Sequence, residues 1–259
     1  MNLIQKEQES SKKYFITTLI TKEGIEIAEL TRNNVALVES MISYDSDYSN
    51  SSNTDSEISS AYWLMKLKKE VFGNNKSKSD YRKIIENCVQ YIDSENSTHL
   101  NADGVGRKQM TERLVKLDKA KLVEYLRNPE KENYKLIEIL TEKTVPEDSK
   151  YHGRENFSFA TKFCHYACYY LFEGQQEQDN FSIYDSIVAK HLPDYAKHFK
   201  TELKKDYTLN YKSYITAIDA IRAKGKERIS RNGFDHLLWY FHKARYKNFL
   251  IKLKRMKTK

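Results

Sequence analysis

The chain has few of the residues that bend or staple a fold. Among its 259 residues are only 8 Gly, 3 Pro and 3 Cys. Turn-rich all-β folds need many more turn residues, so the scarcity points to helices joined by few hairpins. An odd cysteine count without framework spacing excludes a disulfide scaffold and fits a reducing compartment. Cys164 and Cys168 sit one helical turn apart with His165 between them. No second ligand pair accompanies them, so they read as core thiols and no metal is expected. No run approaches the ~20 apolar residues of a membrane helix, and no membrane partner is expected. Met1 to Lys13 is polar and lacks the apolar stretch of a signal peptide, so the expected location is the cytoplasm.

Aromatics and charge are plentiful. The 19 Tyr and 11 Phe supply enough buriable area to argue against wholesale disorder. Net charge is +8, unevenly spread. Residues 150–259 carry 22 Lys/Arg against 11 Asp/Glu, and residues 1–149 carry 22 against 25. A one-sided cationic half is the electrostatic mark of a polyanion partner, or else ordinary solubility charge in a lysine-heavy chain.

Tyr14–Ile20 is apolar and β-branched, which fits a short strand or a buried segment. Ile25–Ile42 has helical spacing through Ile27, Leu30, Val35, Val38 and Met41. Ser43–Ser60, rich in Ser, Asp and Asn, reads as a linker. The expected organisation is therefore an N-terminal segment, 1–60, and a helical domain, 61–259, with a basic tail at 243–259. Further helices are expected at Ala61–Phe72, Ser79–Ile92, Lys108–Leu117, Lys119–Leu126, Asn133–Glu142, Phe157–Leu171, Tyr184–His191, Tyr211–Lys224 and Phe234–Met256, with Pro193 ending the helix before it. Gly104-Val105-Gly106 reads as a turn between helices.

The stretch from His152 to His191 carries the chemistry. Lys162 falls in the first turns of one helix and Asp185 at the start of the next, 23 residues later. Thr161-Lys162 followed by Ile183-Tyr184-Asp185, with Phe234-Asp235-His236-Leu237-Leu238-Trp239 near the end, resembles the helix-hairpin-helix DNA glycosylases, in particular the prokaryotic 8-oxoguanine glycosylase-like proteins, over roughly residues 150–242. The resemblance implies a mainly α, two-lobed fold with at most a short N-terminal strand. It implies a double-stranded DNA partner with the target base flipped out, Lys162 as nucleophile and Asp185 as electrostatic partner, and no cofactor. It also implies Trp239, Phe241 or Phe234 stacking on the base and Asp235 and His236 bonding its edge. The family's hairpin usually carries Gly-apolar-Gly, whose amides hold a phosphate. Here Glu155-Asn156-Phe157-Ser158 stands in that place, so Arg154, Asn156, Ser158 and Thr161 would supply the backbone grip.

The residues on their own leave blander readings open: a surface lysine, a helix-capping aspartate and core aromatics. Besides excision of a damaged or modified purine, with or without strand cleavage, two alternatives remain. One is a catalytically silent module that senses modified or foreign DNA, for example in defence against phage. The other is a helical protein with no nucleic-acid role. Oligomeric state is not readable from the chain.

Overall fold

A computed structural model of the chain describes residues 15–44, 57–73, 81–100, 105–142, 156–243 and 246. It is mainly helical, with one two-stranded sheet and ten α-helices among the described residues. In chain order these are β1 (Thr18–Ile20), β2 (Glu26–Ala28), α1 (Arg32–Tyr44), α2 (Ser60–Phe72), α3 (Tyr81–Asn96), α4 (Gly106–Lys116), α5 (Lys119–Arg127), α6 (Lys135–Thr141), α7 (Phe157–Leu171), α8 (Ser186–His198), α9 (Tyr211–Lys224) and α10 (Arg231–His242). No helix among the described residues is long and apolar enough to cross a membrane.

Backbone contacts divide the chain into two units. One comprises Met1–Asp45, Asp185–Thr208 and Ser213–Lys259, and the other Ser46–Tyr184 and Leu209–Lys212. The grouping joins the two ends of the chain, where the linear reading divides it at residue 60. Charge follows the same grouping. The spans of the first unit carry 23 Lys/Arg against 14 Asp/Glu, and those of the second carry 21 against 22. The first is therefore the basic unit and the second is close to neutral.

The neutral unit is built around α7. Its sequence, Phe-Ser-Phe-Ala-Thr-Lys-Phe-Cys-His-Tyr-Ala-Cys-Tyr-Tyr-Leu, places apolar residues on every side, and eleven of its fifteen residues are buried. A helix apolar all round must be enclosed, and α2, α3, α5 and α6 pack against it. Cys164 and Cys168 are wholly buried, as is Cys88 on α3, and burial pushes all three thiols well up. They are core residues. Ser59 and Asp118 cap α2 and α5 by accepting from Tyr62 N and Lys121 N. Gly106 opens α4 where a Cβ would lie 1.9 Å from the carbonyl oxygen of Leu100. Glycine is there for close packing of backbone against backbone. Gly104 lies outside the described residues.

In the basic unit, β1 and β2 pair antiparallel, Leu19 opposite Ile27, and the tight return at Thr21–Ile25 uses Gly24 at φ 78°. Helical periodicity over Ile25–Ile42 thus proves half right. Its first part is strand, because Glu26, Ile27 and Ala28 pair in register with Ile20, Leu19 and Thr18. Asn34 ties this entry together: its side chain accepts from Thr17 N and donates to the carbonyls of Thr17 and Glu29.

Pro193 does not end α8; it lies inside it. A proline has no N–H for the carbonyl four residues back, here that of Ala189. The Tyr207 hydroxyl donates to that carbonyl at 3.1 Å, which satisfies the acceptor and lets the helix run on to His198. The last helix begins at Arg231, earlier than its apolar pattern, because Ser230 caps it through Gly233 N at 2.8 Å. The expected Ser-Asp cap of α3 and the continuation into the basic tail fall outside the described residues.

Tyr207→Phe is expected to lower stability by about 1 kcal/mol or somewhat more, since a part-buried carbonyl loses its donor; thermal melting, with amide exchange on α8, reads the loss. Gly106→Ala is expected to cost about 3 kcal/mol because backbone must move to admit one methyl; a denaturant midpoint unchanged from the parent chain would refute the packing argument.

Candidate functional site

Lys162 sits one and a half turns into α7 and is only 7% exposed. That is not the position of an ordinary surface lysine. Its amine donates to the carbonyl of Asn96 at 3.1 Å, the last residue of α3. The terminal carbonyls of a helix have no partner within it and attract cations. Tyr166, one turn along α7, donates to the Asn96 side-chain oxygen at 3.0 Å. Lys162 and Tyr166 together grip one residue, a pairing with no signature in the sequence.

Asp185 is the N-cap of α8. Its Oδ1 accepts from the amides of Ile187 and Val188, both at 2.9 Å. These two bonds hold the carboxylate in one rotamer, as expected of an acid that opens a helix. Lys162 belongs to the neutral unit and Asp185 begins the α8 segment of the basic one. The residues immediately before them are directly bonded within the neutral unit: Tyr184 N donates to Thr161 Oγ1 at 3.0 Å, and the rings of Phe157 and Tyr184 meet edge-on at 5.0 Å.

Thr161, expected at the DNA backbone, is wholly buried, and its hydroxyl donates to the carbonyl of Ser158 at 3.1 Å. The structure thus joins two of the expected backbone residues to each other. Asn156 stands at the N-cap position of α7 and is buried. Arg154 lies outside the described residues. His165, between the two cysteines, spends its Nδ1 on the carbonyl of Phe181 at 2.9 Å; a carbonyl only accepts, so Nδ1 carries the proton.

The aromatic set proposed for the base lies on α10. Phe234 has no exposed surface and meets Tyr195 edge-on at 5.9 Å, a core position. Asp235 is buried and His236 half-buried. Trp239 is half-buried, and the amine of Lys243 lies over its ring at 4.5 Å. Phe241 leans on Tyr246 at 5.9 Å between centroids. Trp239 and Phe241 are two residues apart, so the helix aims them to opposite sides; one helical face cannot present both to one base.

One arrangement on α10 was not visible in the sequence. His242 stacks on His191 of α8, rings 3.8 Å apart and 11° from parallel. Tyr195 accepts from Ala28 N at 3.0 Å through its hydroxyl oxygen and lies within hydrogen-bond distance, 3.3 Å, of His242 Nε2. Burial, then the neighbouring imidazole and Lys190, holds the His242 pKa down to about 3. Burial and Lys190 also lower that of His191, against the opposing pull of Asp194.

Comparison with protein families, with curated proteins and with solved structures yields no match.

Both imidazoles are neutral in the folded protein at neutral pH, and the unfolded chain binds the protons more readily. Their contribution is present above the ordinary histidine value of 6.5 and is lost as pH falls from there toward about 3. Melting curves between pH 8 and pH 4 should therefore show a falling midpoint below about pH 6.5. His242→Phe, which keeps a ring in the stack, should flatten part of that fall; an unchanged profile would contradict the assignment.

Proposed function

We propose that this protein is a DNA glycosylase with lyase chemistry, acting on a damaged or modified purine flipped from a duplex. The observation that supports the reading is Lys162: an amine carried inside a helix of otherwise mostly apolar buried residues, held by a neutral carbonyl, with the residue before it bonded to the residue before Asp185. The basic unit supplies a cationic surface for a polyanion.

In this reading the free amine of Lys162 attacks the anomeric carbon of the nucleoside. A carbon–nitrogen bond forms as the glycosidic bond breaks, one proton of the attacking amine leaves with the base, and the other passes to the sugar ring oxygen as the ring opens. Opening of the sugar ring gives a Schiff base, from which loss of a proton expels the 3′ phosphate by β-elimination. The Asp185 carboxylate, its rotamer fixed by Ile187 N and Val188 N, stabilises the cationic sugar as the bond breaks.

A second reading has its own observation. Lys162 satisfies the carbonyl that ends α3, and Asp185 satisfies two amides that begin α8, so each has a sufficient structural task. On that reading the protein is a duplex-binding or sensing module without chemistry.

Borohydride trapping on duplexes carrying 8-oxoguanine and a panel of other modified purines separates the two. The first reading expects a covalent adduct with the parent chain and none with Lys162→Arg, which retains a donor to the Asn96 carbonyl. It expects Asp185→Asn to reduce base release by roughly 100-fold or more. Tight duplex binding with no adduct and no released base, unchanged by either substitution, establishes the second reading and ends the first.

A further inference from the structure

We infer that residues 30–32, 200–205 and 224–228 of the basic unit form one docking face for the phosphodiester backbone of duplex DNA. The inference rests on the duplex-binding part of the reading above and names the surface that performs it.

Three separate stretches of chain converge there. Lys224 Nζ donates to the carbonyl of Lys200 at 2.7 Å. Glu227 N donates to the carbonyl of Leu30 at 3.2 Å, and Arg32 N to the Glu227 carboxylate at 2.6 Å. Arg32 Nε reaches the carbonyl of Arg228 at 3.5 Å. These bonds gather Arg32, Lys200, Lys224 and Arg228, all exposed, around the turn between α9 and α10, and the exposed Lys204 and Lys205 follow Lys200 by four and five residues in the same stretch. Among the described residues none of the six has a carboxylate within ion-pair distance of its side chain. Lys226, in the same turn, pairs with Glu29 at 3.4 Å. The acids of these stretches are Glu202, Asp206 and Glu227, and Glu227 is committed to the Arg32 amide. Elsewhere exposed cations of both units are paired, Lys197 with Glu23 in the basic unit and Arg82 with Glu112 and Lys135 with Glu138 in the neutral one. Where cations outnumber acids, like charges repel one another, and an arriving polyanion removes the repulsion.

The turn is also rigid before anything binds. Arg222 donates twice to the carbonyl of Ile229, at 3.0 and 2.6 Å, and once to Asp219 at 2.6 Å. Arg231 donates to the same carboxylate at 3.0 and 2.5 Å. Gly225 packs so closely on Leu30 that a Cβ would lie 2.8 Å from its Cβ. These half-buried arginines lock the hairpin, while the exposed cations remain available. A fixed array of cations binds with less loss of chain entropy than a loose one. Its partner is regular, repeating negative charge, which is the geometry of a nucleic-acid backbone.

The test is the salt dependence of binding to a fluorescein-labelled 20-base-pair duplex, read by anisotropy between 50 and 200 mM salt. The parent chain is compared with an Arg32→Ala, Lys204→Ala, Arg228→Ala triple variant. A second triple variant, Lys69→Ala, Lys108→Ala, Lys131→Ala, removes the same charge from exposed sites of the neutral unit. Circular dichroism melts establish that each variant folds. Each phosphate contact contributes about 0.9 to the slope of log K against log salt, so the first variant should lose about 2 to 3 of slope and the second almost none. Equal losses in both variants, or none in the first, overturn the docking face while leaving duplex binding standing. A parent chain that binds phosphatidylserine vesicles but no duplex overturns the inference and the glycosylase reading together. Duplex binding with the expected slopes but no base release leaves the face intact and removes only the chemistry.

Discussion

Enclosure of α7 is the constraint on which the neutral unit depends. A helix with phenylalanines at 157, 159 and 163, cysteines at 164 and 168 and a leucine at 171 offers water only a narrow stripe, through Ser158, Tyr166, Tyr169 and Tyr170. It is stable only when surrounded, and α2, α3, α5 and α6 exist as its wrapping. Placing a lysine in such a helix creates a demand that its neighbours must meet. The α3 C-terminus meets it, because its last carbonyl needs a donor as much as the buried amine needs an acceptor. The two deficits cancel. The same helix offers Thr161 Oγ1 to Tyr184 N, a bond within the neutral unit.

The basic unit meets comparable demands with side chains far away in sequence. Pro193 leaves Ala189 without its amide, and Tyr207 returns a hydroxyl to it. Tyr195 connects β2 to α10 through one oxygen, accepting from a strand amide and facing an imidazole. Asp219 holds two arginines that in turn hold the hairpin. In each case a polar group is answered by one specific partner, alongside an apolar core that includes Ile27, Leu192, Ile218, Phe234 and Leu238. The unit thereby presents a surface rich in cations on a frame that does not yield.

Legibility from sequence tracked periodicity. The long helices α2, α7 and α9 follow their apolar patterns closely, and the core assignments of Cys164 and Cys168 hold because their spacing belongs to that pattern. Errors arose where two periods meet or where a partner is distant. Ile25–Ile42 mixes a strand with a helix, and Ile27 of the strand falls into the helical spacing set by Leu30, Val35, Val38 and Met41. Pro193 is a reliable helix stop only when nothing replaces the missing bond. Phe234, Trp239 and Phe241 read as one aromatic cluster along the chain, yet α10 buries the first and turns the other two apart.

The linear order of residues was sufficient to establish a helical protein, to place Lys162 and Asp185 at consecutive helix starts and to reveal a cationic C-terminal half, because helical periodicity, capping and net charge are local or additive properties. Tertiary structure alone decided that Lys162 is buried against the end of α3, that the basic charge shares a unit with the N-terminal hairpin, and that Arg32, Lys200 and Arg228 share one surface. Those facts depend on which distant groups satisfy each other's hydrogen bonds, and a chain read residue by residue carries no record of that pairing.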